Sequence, residues 1–189
     1  SYSARVLNAD TENESWLLHG RTYDESRFSP LKDINDSNVA GLGLAWSFET
    51  GTNRGHETTP IVVDGMMFIS APWSVVFALN PITGEKIWSF DPQADKAWAR
   101  NACCDVVNRG VAVWEDQVII ATIDGRLISL NKNSGEVNWD VLTIDKSKPY
   151  TITGAPRIID GKIIIGNGGG EYGVRGYISA YDVQDGSML

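Results

Sequence analysis

The chain has two cysteines, and they are neighbours, Cys103 and Cys104. Adjacent Cα atoms lie about 3.8 Å apart across a trans peptide, closer than the roughly 4.4–6.8 Å of ordinary disulfides. Two outcomes are open. The pair alone favours two reduced, buried thiols acting as small hydrophobes; the alternative is a rigid vicinal ring that offers sulfur to whatever stacks on it. There is no second cysteine pair to build a metal-binding knuckle. Arg109 follows in Cys103-Cys104-Asp105-Val106-Val107-Asn108-Arg109-Gly110. Taken alone it reads as half of a surface salt bridge, although a guanidinium can also grip carboxylates through paired, charge-assisted hydrogen bonds.

A second cluster runs Gly166-Asn167-Gly168-Gly169-Gly170-Glu171-Tyr172-Gly173-Val174-Arg175-Gly176-Tyr177. Its glycines allow backbone to approach a planar ligand closely, and Glu171 offers a hard oxygen of the kind calcium takes. A nucleotide phosphate loop must open a helix, whereas the residues after this cluster return to strand character, so that use is rejected. The plain alternative is a glycine-rich hairpin carrying a solvated Glu171. Two weaker segments precede prolines: Gly55-His56-Glu57-Thr58-Thr59-Pro60 and Thr151-Ile152-Thr153-Gly154-Ala155-Pro156. Polar residues before proline are ordinary at strand ends, and His56 reads as structural or solvent-facing.

The elements that position these residues are given by a repeat. Leu79-Asn80-Pro81-Ile82-Thr83-Gly84-Glu85-Lys86-Ile87-Trp88 returns as Leu130-Asn131-Lys132-Asn133-Ser134-Gly135-Glu136-Val137-Asn138-Trp139, and a third copy begins at Tyr181-Asp182-Val183-Gln184-Asp185-Gly186. Gly84, Gly135 and Gly186 are 51 residues apart each time. That period fits a four-stranded propeller blade rather than a helical solenoid. Each copy is a strand end, a polar turn with glycine, and a new strand opening on an aromatic. Runs such as Ile61–Ile69, Val118–Ala121 and Ile158–Ile165 read as hairpins with Asp-Gly turns. Helical periodicity is absent apart from a short turn near Ser37-Asn38-Val39. In both complete copies tryptophan follows glycine by four residues, so a tryptophan is predicted directly after Leu189 and the chain is expected to be a piece of a longer one. Seven tryptophans could serve as a carbohydrate platform, but equivalent places in a repeat suit wedges between blades better.

Bulk properties narrow the function classes. At 189 residues one globular unit is expected, and no apolar run approaches the roughly 20 residues of a membrane-spanning helix. Against 24 acidic residues stand 16 basic ones, a net charge of −8, with no basic block dense enough to track nucleic acid. The start, Ser1-Tyr2-Ser3-Ala4, carries no signal-peptide pattern, so a secretion signal was removed or never existed.

The stretches Cys103–Gly110 and Glu171–Tyr177 resemble the quinoprotein alcohol dehydrogenases, and similarity runs from Tyr23-Asp24-Glu25-Ser26-Arg27-Phe28-Ser29-Pro30 to Tyr181-Asp182. Both stretches look most like the members that also carry haem. The resemblance implies an all-β, eight-bladed propeller of which residues 1–189 are the N-terminal part of a single domain, about three blades. It implies that Cys103 and Cys104 are oxidised to a vicinal disulfide on which pyrroloquinoline quinone (PQQ) lies flat. Arg109 would bind the cofactor's carboxylates, with Glu57, Thr153, Gly169 and Gly170 as further cofactor contacts and Glu171 as a ligand of Ca2+.

The implied activity is oxidation of an alcohol to an aldehyde or ketone in the periplasm. Calcium acts as Lewis acid, a carboxylate as base, and electrons leave to a cytochrome-type acceptor. The catalytic Asp and the opposite wall of the pocket are expected beyond Leu189, as is any haem c domain, since Cys-x-x-Cys-His is absent here. The isolated chain is therefore expected to be inactive. The rival classes are a non-catalytic scaffold propeller, which has no reason to keep Cys103, Cys104, Arg109 and Glu171 together, and a quinoprotein sugar dehydrogenase, which generally lacks the adjacent cysteines.

Overall fold

The computed structural model describes residues 1–189. The chain opens on helix α1 (Tyr2–Leu7) and crosses an irregular segment before its strands begin: β1 (Ile61–Val63), β2 (Met66–Ala71), β3 (Val75–Leu79), β4 (Lys86–Phe90), β5 (Ala112–Trp114), β6 (Gln117–Ala121), β7 (Arg126–Asn131), β8 (Val137–Leu142), β9 (Arg157–Ile159), β10 (Lys162–Gly166) and β11 (Ile178–Asp182). Every strand pairs antiparallel with its sequence neighbour, giving sheets β1–β4, β5–β8 and β9–β11. These are successive blades of a partial propeller. The register repeats with the sequence: Leu79 pairs Lys86, Leu130 pairs Val137, and an isolated bridge joins Tyr181 to Met188. The third blade thus begins its outer strand where the other two do.

Turn chemistry explains the repeat. The side-chain oxygens of Asn80 and Asn131 each accept from the backbone N–H groups two and three residues on, and that of Asp182 accepts from the Gln184 N–H two residues on. The glycine N–H then closes the turn on the carbonyl of residue 80, 131 or 182. Asp64-Gly65 and Asp160-Gly161 make the expected inner hairpins with both residues at positive φ. The middle blade differs. Its first hairpin turns at Glu115-Asp116, and its Asp124-Gly125 sits one turn later, between β6 and β7.

Tryptophan is the wedge between blades. Trp88 of β4 donates its indole N–H to the Lys132 carbonyl at 2.9 Å, and Trp139 of β8 donates to Val183 at 3.1 Å. Trp46 does the same to Pro81 at 3.1 Å, although no strand contains it. Its Trp46-Ser47-Phe48 matches Trp88-Ser89-Phe90 of β4 residue for residue. The sequence pattern missed this copy because residue 42, four before Trp46, is leucine rather than glycine.

Helix α1 was not anticipated either. Its single apolar pair at helical spacing, Tyr2 and Val6, is too little to mark a helix, and an isolated helix so short is unstable. It is held by burial of Tyr2 and Val6, with the Tyr2 ring 5.4 Å from Trp114, and by Arg5, which pairs with Glu12 and Asp64. No helix is long and apolar enough to cross a membrane.

Candidate functional site

Three residues that each precede the innermost strand of a blade meet at the inner edge. The Thr59 N–H donates to the Arg109 carbonyl at 3.2 Å, and the Arg109 N–H donates to the Thr153 carbonyl at 2.9 Å. Arg109 is thereby pinned between the first and third blades. Asn108 braces it from below: buried, it donates to the Ala121 carbonyl and accepts from the Gly110 N–H. Gly110 has φ +131°, and a Cβ there would come within 3.2 Å of the Thr59 carbonyl oxygen. The inner edge therefore closes only around glycine.

With its backbone fixed, the Arg109 guanidinium reaches two partners. Nη1 donates to Thr153 Oγ1 at 2.6 Å, and Nη2 pairs with Glu57 Oε2 at 2.8 Å. The Arg109 and Glu57 side chains are each about two-fifths exposed (43% and 42%), so the pair faces an open space.

Cys103 and Cys104 are joined, with Cα atoms 3.8 Å apart, and both are exposed. Of the two outcomes the sequence left open, the vicinal ring is the one found. It sits in a loop that leaves a 3-10 turn (Lys96–Asn101), which Asp95 caps by accepting from the Ala97 N–H. Trp98 in that turn donates to the Tyr150 carbonyl at 2.7 Å and so ties the cysteine loop to the third blade.

The glycine cluster leaves β10 and lies beside this ring. Gly168 and Thr151 bridge through paired backbone hydrogen bonds. Gly169 then takes φ +118°, and a Cβ there would collide with the Pro149 carbonyl oxygen at 2.6 Å. That turn delivers Gly170–Tyr172 as a single 3-10 turn with Glu171 exposed.

Cys103, Cys104, Arg109, Thr153 and Glu171 all line one recess of about 70 Å³, closed on one side by Thr151 and Gly168. It runs into a wider depression of about 440 Å³ through the shared Arg109, Thr153 and Gly168. Glu57 reaches the recess only through Arg109. Gly169 and Gly170 shape the turn between Gly168 and Glu171 and do not line it. His56 is exposed and bonds only Thr50, as expected. No three His, Cys, Asp or Glu side chains come together to hold a metal ion, and the carboxylates that line the recess are those of Glu171 and Asp105. Asp105 and Thr151 also line the recess. Sequence reasoning passed over both, though Asp105 directly follows the cysteines.

A family model described as the PQQ glucose/ethanol/alcohol dehydrogenase β-propeller domain matches residues 16–189. The chain belongs to this PQQ dehydrogenase family. Quinohemoprotein alcohol dehydrogenase ADH-IIG of Pseudomonas putida is 54% identical over 184 residues, which cover 97% of this chain and 26% of that protein. Its solved structure matches 98% of the chain and 27% of its own length with a TM-score of 0.96. The 1-butanol dehydrogenase (cytochrome c) of Thauera butanivorans is 53% identical, covering 88% of this chain and 24% of its own. The quinohemoprotein alcohol dehydrogenase of Comamonas testosteroni superposes with a TM-score of 0.95 at 48% identity, over 98% of this chain and 28% of its own. The chain spans about a quarter of the length of the relatives it matches.

The donor set suits the cofactor of the PQQ family. A planar tricyclic tricarboxylate requires a flat soft surface, a fixed cation and backbone without side chains. The recess offers the disulfide ring, the half-exposed Arg109 and Gly168. A metal fits less completely, because Glu171, with Asp105 already paired to Arg54, is short of the six to eight oxygen ligands that calcium takes.

Proposed function

We propose that the chain supplies one side of the active site of a periplasmic PQQ-dependent alcohol dehydrogenase, as the N-terminal part of a single propeller domain. The observation that carries this is the convergence of the Cys103–Cys104 ring, Arg109 and Glu171 on one recess. Bound there, the quinone would accept the hydride and the metal would polarise its carbonyl.

The chain's own residues bind and orient. The disulfide ring gives the planar cofactor a surface with no rotatable side chain, which lowers the ordering cost of binding. Glu57 and Thr153 each hold one Nη of Arg109, so its remaining N–H groups would meet a cofactor carboxylate with little rotamer freedom left to lose. Glu171 contributes one oxygen to a Ca2+ ion whose remaining ligands come from other residues. Gly169 and Gly170 hold Glu171 at the ring edge.

Alcohol is the favoured substrate class because the most similar relatives are named alcohol dehydrogenases. A cytochrome c-type acceptor and a haem c domain fit the names 1-butanol dehydrogenase (cytochrome c) and quinohemoprotein alcohol dehydrogenase. The deciding experiment reconstitutes the full-length apoenzyme with PQQ and Ca2+ and follows alcohol-dependent dye reduction. The expected result is turnover that needs both additions, lost when Cys103 and Cys104 are replaced by serine. Turnover without quinone, or undiminished in that variant, sinks the proposal.

A further inference from the structure

From Gly43 to Thr58 the backbone makes no hydrogen bond to other backbone. Two ion pairs nevertheless join this segment to the loop that carries the disulfide: Arg54 with Asp105, and Glu57 with Arg109 at 2.8 Å. The signs are crossed. One segment presents a cation at 54 and an anion at 57, and the other an anion at 105 and a cation at 109. Slipping one against the other would set like charges together, so the pairs fix register as well as distance.

The ring itself has little else to hold it. Neither cysteine contributes a backbone hydrogen bond. On the N-terminal side the Ala102 N–H donates to Ala99 at 3.0 Å, and on the C-terminal side the Trp73 backbone N–H donates to the Val106 carbonyl at 2.9 Å. Between them Asp105 stands at φ +69°, a conformation that non-glycine residues hold only when their surroundings impose it. Arg54 supplies that surrounding twice, through the Asp105 carboxylate and by lying 5.7 Å from the centroid of the Trp73 ring.

We infer that Arg54 is a positioning residue for the sulfur wall of the pocket: through Asp105 it fixes the orientation of the Cys103–Cys104 ring, while the adjacent Glu57 fixes Arg109. The inference rests on the quinone-binding role proposed above and extends it to a residue outside the recess. Global stability is not the purpose. The Arg54 and Asp105 side chains are 49% and 39% exposed, and exposed pairs contribute only about 0–1 kcal/mol.

Two measurements test this. In the full-length apoenzyme, Arg54→Gln and Asp105→Asn should each weaken quinone binding about tenfold, the scale of a lost supporting contact, with the melting temperature unchanged. Arg54→Lys, which keeps the cation beside Asp105 and Trp73, should retain most of the affinity that Arg54→Gln loses. Unchanged affinity in both single variants, or a loss in Arg54→Lys as large as in Arg54→Gln, overturns the inference. Separately, cysteine-selective 13Cβ labelling of the full-length apoenzyme, compared with its variant in which Cys103 and Cys104 are replaced by serine, identifies the two signals of the ring. They should broaden or multiply in Arg54→Gln. Signals as sharp as in the unaltered chain overturn the positioning role whatever the quinone does. Broadened signals, with no quinone binding by the unaltered enzyme, keep the positioning role and overturn the quinone-binding one.

Discussion

The ring of Trp88 lies against Gly135 so closely that a Cβ built on that glycine would sit 2.7 Å from the indole. Trp88 belongs to one blade and Gly135 to the next, and the indole N–H bonds Lys132 in the same turn. Gly135 is also at φ +75°, so glycine is required there for two independent reasons.

Gly135→Ala should therefore destabilise the chain by roughly 2–5 kcal/mol, combining left-handed backbone strain with overpacking. Gly65 is the control. It has nearly the same φ, +74°, but a Cβ there meets nothing within 4 Å, so Gly65→Ala should cost only about 1–2 kcal/mol. Urea denaturation of the two variants measures the difference, and equal costs would remove the steric role of Trp88.

Asp124 is 3% exposed. Burial favours its protonated form, but the Thr122 hydroxyl, the Asp95 N–H, Arg126 and Lys146 outweigh that and hold its carboxyl below the ordinary 3.8. A depressed folded pKa contributes stability above the unfolded value, lost as pH falls through the folded one. The melting temperature should fall on acidification from about pH 5 to about pH 3, and less steeply in Asp124→Asn. That variant should be weaker at neutral pH by about 1–3 kcal/mol. Asp64, held low by Lys132 and Arg5 against its burial, leaves some of the acid sensitivity in place.

Arg109→Lys keeps the charge and loses the fork that reaches Thr153 and Glu57 together. Quinone affinity of the full-length apoenzyme should drop by about 10–100-fold, the equivalent of roughly 1.5–3 kcal/mol for a charged hydrogen bond. Titration of quinone into apoenzyme checks this, and affinity equal to that of the unaltered enzyme would assign Arg109 to structure alone.

Glu171→Gln removes one anionic oxygen without disturbing its turn, which is held by backbone bonds from Tyr172 and Gly173. The calcium concentration needed for half-maximal activity should rise about tenfold or more. The melting temperature of the metal-free protein should not move. A calcium titration unchanged in this variant would exclude Glu171 as a ligand.

Much of this was legible because repeats and rare residues are local signals. The three glycines and two of the three wedge tryptophans follow from one spacing, and the adjacent cysteines mark the site once Asp105–Gly110 is read with them. What stayed hidden depends on contacts between distant segments. Arg54 meets Asp105 across 51 residues, and nothing near Arg54 marks it as special. Helix α1 exists through the burial of Tyr2 beside Trp114. Trp46 was recoverable in principle, since Trp46-Ser47-Phe48 repeats Trp88-Ser89-Phe90, but only a search for the tryptophan triplet rather than the glycine turn would have found it.

Trp46, Trp88 and Trp139 each seat on a glycine of the following unit rather than of their own, so no blade here fills its own glycine turn. The blades are coupled both through these boundaries and through one apolar core that takes in residues of all three sheets, so loosening one indole should loosen the blades on both sides of it. The same arrangement makes a 51-residue duplication self-compatible. An inserted copy would bring a glycine socket for the preceding indole and an indole for the following socket, so each added unit would renew the same boundary contact.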